Sequence, residues 1–370
     1  MASAAELPAA RWWIRWWIQL TAVDEETYTL DAAVAYSILD RRFPRTKRGV
    51  FMHPNVQKLA GKKYRLITRS DFDGLVCGML LTDLELIDEI KFVHPKDMQD
   101  GLIEVNERDI TTNLPYVKTC ALAFDHHESE LIRNQEAMDA RNYIIDGHAP
   151  SAARVVYDWL GGSETFPEID HGMMLAVDKA DSAQFTQDDV LHPDGWELLS
   201  FLMDARTGLG RFRDFRISNY QLMMLLIDYC KTHPIDEILE QADVQERVTL
   251  FREQEGLFKD QISRCTTVHQ NLAILDLRNE ETIYAGNRFV IYAMYPQTNI
   301  SIHVLWGLKK QNVVFATGKS IFDRSSRTDI GALMLQYGGG GHSAAGTCQI
   351  PVEKADEVQQ ELIARINADG

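Results

Sequence analysis

Short apolar runs that stop abruptly at charged clusters set the hydrophobic pattern of this chain. Tyr64 to Thr68 (YRLIT) hands over to Arg69-Ser70-Asp71-Phe72-Asp73-Gly74, and Thr119 to Phe124 (TCALAF) ends in Asp125-His126-His127. Both runs read as buried strands of a parallel sheet, which presents its functional side chains at the carboxyl ends of its strands. Leu75 to Leu86 reads as an apolar helix entered through a tight turn at Gly74. Met173 to Val177 reads as a helical run that acquires Asp178 and Asp181, three apart and so on one face. From Trp196 to Arg264 the period is helical, as in Gln221 to Ile227 and Val248 to Arg252, with Met223 and Met224 as core filler. Strands follow at Leu272 to Leu277, Phe289 to Tyr295, Ile300 to Leu305 and Val313 to Thr317, and an amphipathic helix at Asp329 to Gln336.

These elements predict a two-domain α/β protein. Residues 56–190 form a parallel-sheet domain with helices on both faces, 191–265 a helical connector, and 266–370 a smaller mixed α/β domain. Residues 1–55 stand apart as an N-terminal extension. Within it Arg11 to Leu20 is rich in tryptophan, but Arg15 interrupts the run and it is too short to span a bilayer. It is read as lying outside the functional fold in preference to an interfacial helix, so no membrane partner is expected.

Composition narrows the function. With 45% hydrophobic and 25% charged residues the chain is of ordinary globular make-up. A net charge of −16 disfavours long DNA or RNA, which is held through a basic surface. Small phosphate compounds remain, because they need only a local positive pocket. Cys77, Cys120, Cys230, Cys265 and Cys348 show no CxxC spacing, and are expected as reduced core thiols of a cytoplasmic protein, with zinc disfavoured.

The candidate chemistry sits at the charged clusters. Asp71 and Asp73, two apart, would face the same way in extended geometry, and two converging carboxylates call for a hard cation such as Mn²⁺ or Mg²⁺. Capping of the following helix accounts for one aspartate and less well for two. Asp125, His126 and His127 add further ligand types, and Asp181 is preferred over Asp178 downstream. Near the C-terminus Gly338, Gly339, Gly340 and Gly341 precede His342, a run whose backbone N–H groups could approach an anion. Lys319, Arg324 and Arg327, among serines, read as a second source of anion contacts.

In this order and spacing, Asp71-Phe72-Asp73-Gly74, Asp125-His126-His127, Ala180-Asp181-Ser182 with Phe185, and Gly338 to Gly341 followed by His342-Ser343-Ala344-Ala345-Gly346 resemble the DHH/DHHA1 phosphoesterase superfamily. That superfamily includes RecJ-type exonucleases, oligoribonucleases, cyclic-dinucleotide phosphodiesterases and exopolyphosphatase-related proteins. The resemblance runs from about residue 60 to the end. It implies a binuclear Mn²⁺ or Mg²⁺ centre on Asp71, Asp73, Asp125, His126 and Asp181. Asp178 would be an orienting or alternative group, and His127 either an orienting group behind the ligands or a donor to the reacting phosphate. The second domain would grip phosphate. Two departures stand out. Thr68, Arg69 and Ser70 replace a histidine that several members carry, and Asn113 stands where an aspartate is expected, unless Asp109 substitutes by a shift of register. The expected activity is metal-dependent hydrolysis of short oligonucleotides or dinucleotides. The alternatives are exopolyphosphatase or nucleotide phosphatase activity, or a weakly active nucleotide-binding regulator. A homodimer is compatible with this reading.

Overall fold

The computed structural model describes residues 53–127, 130, 134–212 and 214–370; the tryptophan-rich run at Arg11 to Leu20 lies outside them. Five strands, β1 (Tyr64–Arg69), β2 (Ile87–Val93), β3 (Asp109–Thr112), β4 (Leu122–Asp125) and β5 (Tyr143–Ile145), form a sheet of order β2-β1-β3-β4-β5 in which every pairing is parallel. β3 and β4 are buried at every position, as strands covered on both faces must be. The chain leaves β1 for β2 on one side and returns for β3 on the other. A crevice therefore opens at the carboxyl ends of β1 and β3, the switch point where such sheets bind ligands.

Six main helices accompany this sheet: α1 (Phe72–Asp83), α2 (Ala152–Trp159), α3 (His171–Asp181), α4 (Gly195–Met203), α5 (Asn219–Tyr229) and α6 (Ala242–Cys265). α1 is central, packing against α2, α3 and α5. One apolar core joins Leu66, Leu80 and Phe124 to Leu199, Leu226 and Phe251. The stretch expected as a connector is thus largely built into the first core, since its apolar stripes need a partner surface to bury.

The second sheet, of order β10-β11-β9-β8-β7-β6, contains β6 (Thr266–His269), β7 (Leu272–Asp276), β8 (Ile300–Trp306), β9 (Asn312–Lys319), β10 (Gly340–His342) and β11 (Ala345–Pro351). One face packs on α8 (Ile330–Gln336) and α9 (Ala355–Asp369), through Ile302, Phe315, Leu333 and Ile366. The other buries Leu275 and Val314 against Phe185, Phe201 and Phe258, which joins the two halves. Phe289 to Tyr295, expected as a strand, is helical over α7 (Val290–Met294). The pairing explains this: β7 and β8 are parallel neighbours, and a parallel connection requires a crossover that α7 supplies. A short apolar run does not distinguish the two by period. All five cysteines are free, and among the described residues no helix is long and apolar enough to cross a membrane.

Candidate metal centre and its cleft

The turn out of β1 separates the two aspartates that an extended segment would have aligned. Asp71 is the N-cap of α1, its Oδ1 accepting from the Gly74 N–H at 3.0 Å. Asp73 already lies in the first helical turn, where its Oδ1 accepts from the Ala153 N–H at 2.7 Å and its Oδ2 from the Ala152 N–H at 3.1 Å. The start of α2 thus grips Asp73 with two of its unsatisfied donors. Gly74 is inside the helix rather than a hinge before it, and a Cβ there would lie 1.9 Å from the Arg69 carbonyl oxygen.

At the end of β4, Asp125 is buried and its Oδ1 accepts from the His126 N–H at 2.9 Å and from His127 Nδ1 at 2.7 Å. His126 Nδ1 lies 3.2 Å from the Ala149 carbonyl. With its hydrogen donated there, the imidazole in its neutral form would present the lone pair of Nε2 to a cation in the crevice. That Nε2 stands 2.7 Å from Asp181 Oδ2 by distance, yet lacks the alignment of a hydrogen bond. Asp73, His126 and Asp181 bring their ligand atoms within 4.8 Å of one another.

The electrostatics favour a cation. Burial, then Asp181, pushes Asp73 up to about 7. Burial also raises Asp71, a shift tempered by Arg69. His126 is buried too, which opposes its charge, but Asp181, Asp73 and Asp125 outweigh this and lift it to about 9. Asp125 Oδ2, His126 Nε2 and Asn113 Oδ1 are all buried without a hydrogen-bond partner. Mixed carboxylate, imidazole and amide donors in this state fit a divalent ion of the Mn²⁺ or Mg²⁺ type.

The remaining candidates divide. Asn113 follows β3 into the crevice, its Nδ2 3.3 Å from Asp71 Oδ1. Asp109 cannot substitute, because it starts β3 at the far end and is held by Arg65 through two contacts of 2.8 Å. Arg69 Nε pairs with Asp71 Oδ2 at 2.9 Å. Asp178 faces away, bonded to Ser151 Oγ at 2.7 Å and Arg154 Nη2 at 2.6 Å. It thereby braces the start of α2 that holds Asp73.

In the second half the glycine run is not an open loop. Gly340 to His342 form the edge strand β10, and a Cβ on Gly339 or Gly341 would lie 2.2 Å from the Thr347 or Ala345 carbonyl oxygen. These glycines serve close backbone approach in a hairpin, with Gly338 at positive φ ending α8 and His342 exposed. Lys319 Nζ donates to the Ser326 carbonyl at 3.0 Å. Arg324 reaches the turn after Asp181, donating to the Ala183 carbonyl at 3.1 Å. Arg327 points elsewhere, donating to the Asp369 carbonyl at 2.8 Å beside a groove of about 390 Å³.

Sequence reading missed the wall facing the acids. Asp204 accepts from Arg206 Nε at 2.7 Å and lies 3.4 Å from Arg288 Nη1, while the Arg288 guanidinium covers the Phe289 ring at 4.2 Å. The Gly286 N–H donates to the Thr207 carbonyl at 2.9 Å and ties these segments together. Arg206 is solvent-accessible, yet its charge is held by Asp204, then by Asp71 and Asp181 across the crevice, against a burial that opposes it. Single basic residues carry no spacing, and only the run Arg206 to Arg211, broken by Gly208 and Gly210, hinted at a built turn.

A parallel-sheet domain with an acid and imidazole cluster at its switch point, joined to a mixed-sheet domain, defines a two-domain phosphoesterase. The chain belongs to the DHH/DHHA1 phosphoesterase superfamily. It is 65% identical to a pGpG-specific phosphodiesterase, PggH from Vibrio cholerae, a match covering 83% of this chain and 100% of that one with a TM-score of 0.75. RecJ from Thermus thermophilus in complex with Mn²⁺ is 12% identical, covering 86% of this chain and 56% of that one with a TM-score of 0.45. CDC45 from Entamoeba histolytica is 9% identical, covering 85% and 97% with a TM-score of 0.45. No protein-family model and no curated protein matches the chain.

Proposed function

We propose that this enzyme hydrolyses the phosphodiester bond of a linear dinucleotide of the pGpG type, with Mn²⁺ or Mg²⁺ bound. The observation that carries the reading is the convergence of Asp73, His126 and Asp181 at the β1/β3 crevice, opposite a wall of arginines. The 65% identity to a pGpG-specific phosphodiesterase supports the substrate. Asp73, His126 and Asp181 would hold one ion. A second would draw on Asp71, Asn113 Oδ1 and Asp125 Oδ2, less tightly, because Arg69 already pairs with Asp71. Bound metal supplies an acidified water and charge neutralisation at phosphorus.

The protein's own groups do the rest. The α2 N–H pair and the Ala149 carbonyl fix Asp73 and His126 in orientation. Asp125 holds His127 by Nδ1, and the partly exposed ring would have its Nε2 to donate to a phosphate oxygen or the leaving alkoxide. Arg69, paired with Asp71 through Nε at 2.9 Å, stands at the crevice as a guanidinium that could also serve a non-bridging oxygen.

The test is chromatography of pGpG, cyclic di-GMP, a short RNA and polyphosphate after incubation with Mn²⁺. Conversion of pGpG to mononucleotide, lost with chelator, is expected. Polyphosphate cleavage without pGpG cleavage would overturn the reading.

A further inference from the structure

The long helix α6 carries a stripe that apolar packing does not explain. Val244, Phe251 and Phe258 recur at every seventh position and are buried; at the same interval between them stand Arg247, Gln254 and Gln261, buried as well. Residues seven apart return to one face of a helix, so the three polar side chains share one line. A polar group inside such a stripe is costly unless it meets a partner. Here the partners are irregular backbone. Gln254 Oε1 accepts from the Ala285 N–H at 2.6 Å. Gln261 uses both ends of its amide, Oε1 accepting from the Tyr284 N–H at 3.1 Å and Nε2 donating to the Thr282 carbonyl at 2.8 Å. Arg247 donates to the Ile217 carbonyl at 2.7 Å and covers the Phe215 ring at 4.1 Å. Residues 282–287 form neither helix nor strand, so their backbone groups have no ladder to join and α6 serves in its place. From there contacts run to the crevice. Gly286 packs on Phe258, where a Cβ would come 2.1 Å from Cδ1, and its N–H reaches the Thr207 carbonyl at 2.9 Å. Arg288, two residues on, lies 3.4 Å from Asp204 Oδ2, while Asp204 Oδ1 accepts from Arg206 Nε at 2.7 Å.

We infer that Gln254 and Gln261 are positioning residues of the crevice: by fixing the backbone of residues 282–287 they hold Arg288, and through Gly286 and Asp204 also Arg206, opposite the acids, and so set the affinity for an anionic substrate. This rests on the dinucleotide reading and deepens it. The glutamines act through backbone they bind, two to seven residues from Arg288 in the chain. Segments 204–207 and 282–288 come from different halves of the molecule, and α6 ends at Cys265 where the second sheet begins. One helix thus holds the wall together across the joint between the halves.

The test is a double-mutant cycle. Gln254→Met and Gln261→Met keep the side-chain length and remove the bonds, and each is made alone and together with Arg288→Met. KM for pGpG should rise roughly 10-fold in each single variant, as expected when a binding group shifts on the ångström scale. Turnover number and the Mn²⁺ binding isotherm should stay at wild-type values, because only uniform binding is lost. On the Arg288→Met background the glutamine changes should add about 2-fold at most. A full further penalty there, a parallel fall in kcat and Mn²⁺ affinity, or an unchanged KM overturns the proposal. Hydrogen exchange on the substrate-free chain needs no ligand: both Met variants should speed exchange in residues 282–288 and 204–208 together. Faster exchange in the first segment alone, or in neither, also overturns it. If a Met variant fails to fold, Gln261→Asn, which keeps the amide and shortens its reach, passes through the same measurements. A wild-type chain that leaves pGpG intact sinks the dinucleotide reading alone, because exchange still decides whether the glutamines hold the wall.

Discussion

The two walls of the crevice carry opposite excess charge and manage it by opposite means. On one, Asp71, Asp73 and Asp181 crowd together, and uncharged backbone donors at the start of α2 satisfy part of Asp73. On the other, Arg206 and Arg288 share Asp204, and Phe289 and Gly208 supply apolar or empty surroundings. Each wall is incomplete alone. On the proposed reading an ion would complete the first and an anionic substrate would lie against the second, so that a phosphorylated substrate with its metal would neutralise both at once. This explains how a strongly acidic protein can favour an anionic substrate without a basic surface.

The sharpest way to break the acid wall is Asp125→Ala or His126→Ala, each expected to abolish Mn²⁺-dependent hydrolysis as followed by chromatography. Unaltered turnover in either would remove the metal assignment. Next, Ser151→Ala or Asp178→Asn cuts the brace behind α2 without touching a ligand. Supporting partners of this kind are worth about 10- to 100-fold in metal affinity, readable by Mn²⁺ titration calorimetry; an unchanged isotherm would show that α2 holds Asp73 unaided. The double change Arg69→His with Asn113→Asp should tighten the weaker ion about 10-fold or more, visible as a merging of two binding steps into one. On the arginine wall, Gly208→Ala places a methyl group into Arg211 and strains a left-handed residue by about 1 kcal/mol or more. KM for pGpG should rise. Smallest is Arg324→Ala, which removes exposed contacts to the Ser182 and Ala183 carbonyls. Exposed polar contacts of this sort carry about 0–1 kcal/mol, so a few-fold change in KM is the expected ceiling.

The acid wall was legible because its parts are contiguous. A parallel sheet delivers ligands at strand ends, so Asp71, Asp73 and Asp125-His126-His127 follow apolar runs that announce themselves. What the sequence could not convey was the turn geometry: whether Asp71 and Asp73 lie on a strand or across a helix start depends on Gly74 packing against the Arg69 carbonyl. The arginine wall gathers Arg206 and Arg288 from a loop and a crossover, and no periodicity links them. Phe289 to Tyr295 was misread as a strand for a related reason, since only the parallel pairing of β7 with β8 demands a crossover there. The glycine run was read for anion contact, whereas Gly339 and Gly341 are needed by the facing Thr347 and Ala345 carbonyls.

The grip of α2 on Asp73 bears on how the enzyme behaves when metal is scarce. Its two donors belong to the backbone, cannot titrate and do not depend on the ion, so the carboxylate keeps its aim after the ion departs. Chelation should then empty the centre without loosening the fold around it, and activity should return as fast as Mn²⁺ can diffuse back in. No refolding step then separates the empty from the working protein, because the aim of Asp73 is set by the backbone of α2.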